Sequence, residues 1–275
     1  MAEGPLVHRL ARDLSRALKG KRVEVEFGPK SPKALKPLEP SLQGVRLRDV
    51  EAFGKQFRFS FEDGRILLVH LMMWGWWRIY RTGEPWERPR ERARVVMRSA
   101  DREAVAFSAP VVRLFGPGEL ARDKTWGGLG PDPLRKDFSA AEFRRRLYLK
   151  PSRAIGEALL DQRVISGIGN IVKIELLFGA RVHPRRSVAS LTPKELGRVL
   201  AWTHKLMTKW LKERGNEDEW IRIYRRSGRP CPRCGGRIQR FVQGGRTTYA
   251  CTACQPLRKA RQRGSPAMIE ELGAA

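Results

Sequence analysis

The chain has 275 residues, with 55 lysines and arginines against 29 acidic residues, a formal net charge of +26. Such an excess points to a polyanion, nucleic acid first, because phosphate neutralisation with counterion release drives that kind of binding. No stretch approaches the roughly 18 apolar residues of a membrane span, and the start lacks the basic-then-apolar plan of a signal peptide, so a cytoplasmic, nucleoid-associated protein with no membrane partner is expected.

The chain opens with Ala2-Glu3-Gly4-Pro5, a short turn into a helix. Ala2 is small enough for Met1 to be removed, which would put an α-amine beside the Glu3 carboxylate. An α-amine titrates near 7.7–8.0, against about 10.4 for lysine, so roughly a third of it is the neutral nucleophile at pH 7.5. On these residues alone the plainer reading is a helix start, with Glu3 an acid favoured there by the macrodipole. Leu6, Leu10, Leu14 and Leu18 line one helical face, and Gly20 ends that helix.

Val23 to Phe27 alternates as a strand, and the Pro/Lys-rich run from Gly28 to Pro40 reads as a solvated loop. From Gly44 to Val112, short alternating segments separated by turn residues predict a β-sandwich. Within it Gly54-Lys55 precedes an alternating aromatic strand, where a lysine is ordinarily a solvated charge. Leu71-Met72-Met73-Trp74-Gly75-Trp76-Trp77 reads either as core or as an apolar wedge that holds a base stack open.

The Gly/Pro-rich run Trp126 to Pro133 reads as a linker into a second unit. Residues 137–214 are predicted mostly helical, with Ser139 and Thr192 as helix caps and Ser152 ahead of a further helix. Gly167 and Gly169 allow a tight turn with exposed amides, and Asn170 opens the next helix, an arrangement that suits a phosphate as well as a plain helix connection. Cys231-Pro-Arg-Cys234 and Cys251-Thr-Ala-Cys254, sixteen residues apart, offer four thiolates for one structural zinc ion with no open coordination position. Between them a hairpin is predicted to turn at Gln243-Gly244-Gly245, with Arg246 just past its tip. The segment after Gln255 reads as a basic, mobile tail.

The Ala2–Pro5 start, Gly54-Lys55, the Leu159-Asp161-Gln162…Gly167-x-Gly169-Asn170 segment and the paired CxxC motifs with Arg246, in this order, resemble the formamidopyrimidine-DNA glycosylase/endonuclease VIII family. The Leu/Met/Trp wedge is closer to its endonuclease VIII branch. The resemblance implies an α+β multidomain fold: a β-sandwich with an N-terminal helix (residues 1–130), a helix-two-turn-helix domain (131–225), a zinc-finger hairpin (226–256) and a tail (257–275). It implies a monomer that excises damaged bases from double-stranded DNA, by default oxidised pyrimidines, with bulky adducts or crosslinks left open. Ala2 would be the nucleophile, Glu3 the acid/base and Lys55 a phosphate-holding catalytic residue. Asn170, Arg246, Met72, Met73, Trp74 and Glu175 would form the DNA-binding set.

The family's usual nucleophile is proline, and position 2 here is alanine. A primary amine still condenses with a sugar, but its imine must gain a proton to become an equal electron sink, so weaker strand cleavage is expected. A catalytically impaired protein that binds lesions or abasic sites, natural or a proline-to-alanine variant, is the alternative.

Overall fold

The computed structural model describes residues 2–213 and 220–257; the predicted tail beyond Leu257 lies outside them. Helix α1 (Gly4–Leu18) begins with Pro5 in its first turn and buries Val7, Ala11, Leu14 and Leu18. Strand β1 (Arg22–Phe27) follows, burying Val23, Val25 and Phe27 on one face. The run predicted as a solvated loop is instead partly 3-10 helix from Lys33 to Leu42, because Leu35 and Leu42 have apolar cover to reach.

Strands β2 (Val45–Phe53), β3 (Gln56–Phe61), β4 (Ile66–His70), β5 (Trp76–Arg81), β6 (Ala93–Arg98), β7 (Arg102–Phe107) and β8 (Val111–Phe115) complete an antiparallel array in the order β5-β7-β6-β1-β2-β3-β4-β8. Strand β1 pairs with β6 over Glu24–Phe27 but with β2 only at Arg22 and Val23. The array therefore folds there into two layers. Their inner faces meet where Trp77 packs on Phe57 and Phe59, at 6.1 and 5.2 Å between ring centroids. This is the expected β-sandwich, and α1 shares its core.

The Gly/Pro-rich connection is docked rather than free. It contains the short helix α2 (Lys124–Gly127), and Gly130 N donates to Gln162 O while Ser166 N donates to Pro131 O. Helix α3 (Ala140–Leu147) is capped by Ser139, whose hydroxyl accepts from Glu142 N, but Glu142 turns its carboxylate to Arg145 and Arg146 instead of closing the capping box. Ser152 caps nothing: α4 (Ile155–Ala158) starts after Ala154 without a side-chain cap. Helices α5 (Asn170–Ala180) and α6 (Pro193–Lys212) pack together, and Thr192 with Glu195 forms a complete capping box on α6.

Strands β9 (Gln239–Gln243) and β10 (Arg246–Ala250) form the predicted hairpin, with Gly244 and Gly245 both at positive φ in its turn. Ile174 and Phe178 of α5 share an apolar cluster with Ile223, Ile238, Tyr249 and two of the cysteines. The hairpin is thus fixed to α5. Among the described residues no helix is long and apolar enough to cross a membrane.

Candidate active site

The first turn of α5 is where the three units meet. Glu3 occupies the N-cap position of α1, yet its carboxylate caps a different helix: Oε1 accepts from Ile171 N at 2.8 Å and Oε2 from Val172 N at 3.0 Å. The peptide dipoles of α5 thus receive a buried anion at their positive end. Gly169 makes the approach possible, since a Cβ there would sit 2.3 Å from the Glu3 carboxyl carbon. Burial raises the Glu3 pKa, opposed by Lys55, the two amides and the N-terminal charge. Net, the carboxyl titrates above its ordinary value, which suits a group that both holds and releases a proton.

Ala2 is buried beside it, and its nitrogen donates to Met72 O at 3.4 Å. Lys55 lies in the turn between β2 and β3, one residue ahead of the strand. Gly54 before it has φ +59 and packs on Ser166 and Gly167, so the turn is pressed against the glycine-rich loop that precedes α5. Burial lowers the Lys55 pKa; the Glu3 carboxylate opposes this and the Arg246 guanidinium reinforces it. Lys55, Glu3 and Arg246 therefore face one another, although 191 positions separate Lys55 from Arg246 in the chain.

The apolar run after β4 divides cleanly. Leu71 and Trp77 are core, while Met72, Met73 and Trp74 are 48%, 40% and 77% exposed. Three adjacent large apolar side chains in water next to a buried acid have no packing purpose of their own. Arg246 reaches this turn, its Nη1 lying 3.7 Å from Met73 Sδ. Asn170 is mostly buried; its Nδ2 donates to Thr247 O at 2.8 Å, joining α5 to the strand that carries Arg246.

Glu175 is set apart from this group. Its Oε1 accepts from Ile223 N and Tyr224 N and its Oε2 from Arg222 N, at 2.8–3.0 Å, and it is buried. Three backbone donors use its oxygens to hold the chain entering the zinc finger.

The four cysteine sulfurs lie within 4.8 Å of one another, with Cys231–Cys254 at 3.9 Å and Cys234–Cys251 at 3.5 Å. Tetrahedral zinc with bonds of about 2.3 Å separates its sulfurs by about 3.8 Å, so the donor set fits the ion. Zinc here would tie the two ends of the hairpin together without taking part in chemistry.

Three family models tile the chain: the formamidopyrimidine-DNA glycosylase N-terminal domain over residues 1–116, its H2TH domain over 129–219, and a zinc finger found in FPG and IleRS over 228–257. The chain belongs to the formamidopyrimidine-DNA glycosylase/endonuclease VIII family. It is similar to the probable endonuclease 8 2 of Streptomyces coelicolor (34% identical, covering 93% of this chain and 94% of that one). The formamidopyrimidine-DNA glycosylase of Desulfitobacterium hafniense is 31% identical, covering 93% and 100%. The Lactococcus lactis formamidopyrimidine-DNA glycosylase, solved non-covalently bound to DNA containing an AP site, superimposes with a TM-score of 0.82 at 25% identity over 92% of this chain and 99% of that one.

Three site-forming residues of this family member were not legible beforehand. Asp132, inside the supposed linker, is buried and accepts from Gly54 N at 2.7 Å while bonding His8 Nε2 of α1 at 2.7 Å, so it pins the Lys55 turn to the first helix. His70 Nδ1 accepts from Met72 N at 2.9 Å; burial and then Lys55 hold its pKa at about 4, so the ring is neutral and Nε2 carries the proton. It fixes Met72, whose φ of 51 aims the carbonyl at Ala2. Lys173 is fully buried beneath the site and donates to Thr248 Oγ1 at 2.7 Å. The nearest sequence signal for any of them is the lone Asp132 in a Gly/Pro run.

Proposed function

We propose that this protein is a base-excision DNA glycosylase of the endonuclease VIII type, acting on oxidised pyrimidines in duplex DNA through a Schiff base at the Ala2 amine. The reading requires a mature chain that starts at Ala2, which intact mass reads directly. One observation carries it: the Ala2 nitrogen, the buried Glu3 carboxylate and Lys55 converge beside an exposed Met72-Met73-Trp74 turn.

An exposed apolar turn fills the space left when a damaged nucleotide leaves the stack. Lys55, Arg246 and the second Asn170 amide hydrogen hold phosphates around that gap, which positions the duplex without reading sequence. The Ala2 nitrogen then bonds C1′ as the glycosidic C–N bond breaks, and the departing base takes the proton that the attacking amine gives up. Glu3 gives its proton to the sugar ring oxygen as the ring opens. The protonated imine draws the electrons of the C2′–H bond while the Glu3 carboxylate takes that proton, the C3′–O bond breaks, and the strand is nicked with the phosphate as leaving group. Because the imine of a primary amine loses its proton readily, base release survives better than nicking.

Borohydride treatment on a duplex containing an oxidised pyrimidine, followed by peptide mass analysis, should give an adduct at Ala2. Ala2→Pro should raise nicking about tenfold or more with a smaller change in base release, a difference of roughly 1.4 kcal/mol in one barrier. Binding of abasic-site DNA with no adduct, no base release and no nick would make the chain a recognition module and end the glycosylase reading.

A further inference from the structure

Lys173 is the only lysine in the buried class among the described residues. It also sits in the first turn of α5, where a cation opposes the helix macrodipole, and full burial strips its hydration. Two unfavourable choices at one position call for a local reason. The ammonium donates to Thr248 Oγ1 at 2.7 Å, and that hydroxyl donates onward to Arg246 O at 3.3 Å. Three residues earlier on the same helix face, Asn170 holds Thr247 O. Two side chains of one helical turn therefore grip the strand that begins with Arg246.

The charged groups facing Lys173 are Glu3 from the chain start, Glu157 from α4 and Arg246 from β10. Burial lowers its pKa to about 8, with both acids opposing and Arg246 reinforcing, so it is mostly charged at neutral pH. Its charge thus faces the buried Glu3 carboxyl, whose pKa burial raises.

We propose that Lys173 is a positioning residue for this glycosylase: its hydrogen bond to Thr248 sets the strand bearing Arg246, and its charge faces the buried Glu3 carboxyl. This rests on the reading of Glu3 and Arg246 as reaction-centre groups.

The test uses the full zinc-loaded chain and three variants: Lys173→Met, which keeps length without charge, Lys173→Arg, which keeps charge, and Thr248→Val, which removes the hydroxyl that accepts from Lys173 and donates to Arg246 O. Thermal midpoint and zinc content check folding. The readouts are affinity for a duplex carrying a tetrahydrofuran abasic analogue, the carboxyl ¹³C titration of Glu3 (assigned against Glu3→Gln), and single-turnover base release against pH. Lys173→Met should bind about tenfold more weakly, as expected for one lost charged hydrogen bond. It should also move the Glu3 titration, and the acid limb of base release, up by about half a pH unit or more. Lys173→Arg should restore both, and Thr248→Val should weaken binding with the titration unmoved. An unmoved titration in Lys173→Met, with base release lowered equally at every pH, overturns the proposal, as does unchanged affinity in both Lys173→Met and Thr248→Val. A wild-type chain that releases no base refutes the functional reading instead, while affinity and titration still judge Lys173.

Discussion

Burial of Lys173 costs stability at neutral pH. Its folded pKa, about 8, lies below its ordinary 10.5. Between those values the unfolded chain binds more protons than the folded one, so stability rises with pH through that window, and below about pH 8 the burial penalty is fully present. Lys173→Met removes the penalty. After allowing for the lost Thr248 bond, it should raise the unfolding free energy at pH 7 by about 1–3 kcal/mol. It should also flatten the rise between pH 8 and 10; Lys55, lowered in the same direction, keeps some of the slope. Urea titrations at pH 7 and pH 10 measure both effects. In the sequence this lysine looks like any other in a helix, because the partners that bury it lie 75 residues on and 170 residues back. Glu3 was legible as an acid next to an amine, but not as the cap of a helix 168 positions away.

At the scale of elements, α5 and the zinc hairpin behave as one unit. Ile174 and Phe178 pack on the hairpin, Gln255 Nε2 donates to Val182 O, and Arg233 donates to Phe178 O and stacks over its ring at 4.3 Å. Zinc holds the hairpin ends, and Asn170 and Lys173 hold the strand between them. Removing zinc with a chelator should therefore lower affinity for abasic-analogue DNA to the level of zinc-loaded Arg246→Ala, while the sandwich keeps its far-ultraviolet dichroism. Anisotropy titrations before and after chelation, with re-addition of zinc, check this; loss of sandwich structure would show that the hairpin supports more than α5. The hairpin, its turn and its four ligands were readable because CxxC spacing and a Gly-Gly turn are local rules. The 3-10 segment from Lys33 to Leu42 was not, because only the buried slots for Leu35 and Leu42 turn a polar loop into structure.

At the scale of the molecule, a net charge of +26 faces a polyelectrolyte. Duplex affinity should fall with salt on a log–log slope of about −4 or steeper between 50 and 300 mM, and Arg246→Ala should reduce that slope by about 1. A flat salt dependence would remove the phosphate-contact reading of the basic surface. The sequence by itself determined the order of the parts: a helix behind an amine and an acid, a sandwich, a helical unit with a glycine turn, and a four-cysteine hairpin. Each rests on residues close in the chain, where periodicity, turn chemistry and ligand spacing act. Only the tertiary structure decided which side of the Leu71–Trp77 run is core and which is exposed, that Glu175 serves the backbone before the zinc finger, and that Asp132, His70 and Lys173 support the site. Those outcomes depend on burial and on contacts between residues far apart in the chain. Burial decides whether a lysine, a histidine or a glutamate is a solvated charge or a working group, and composition carries no record of it.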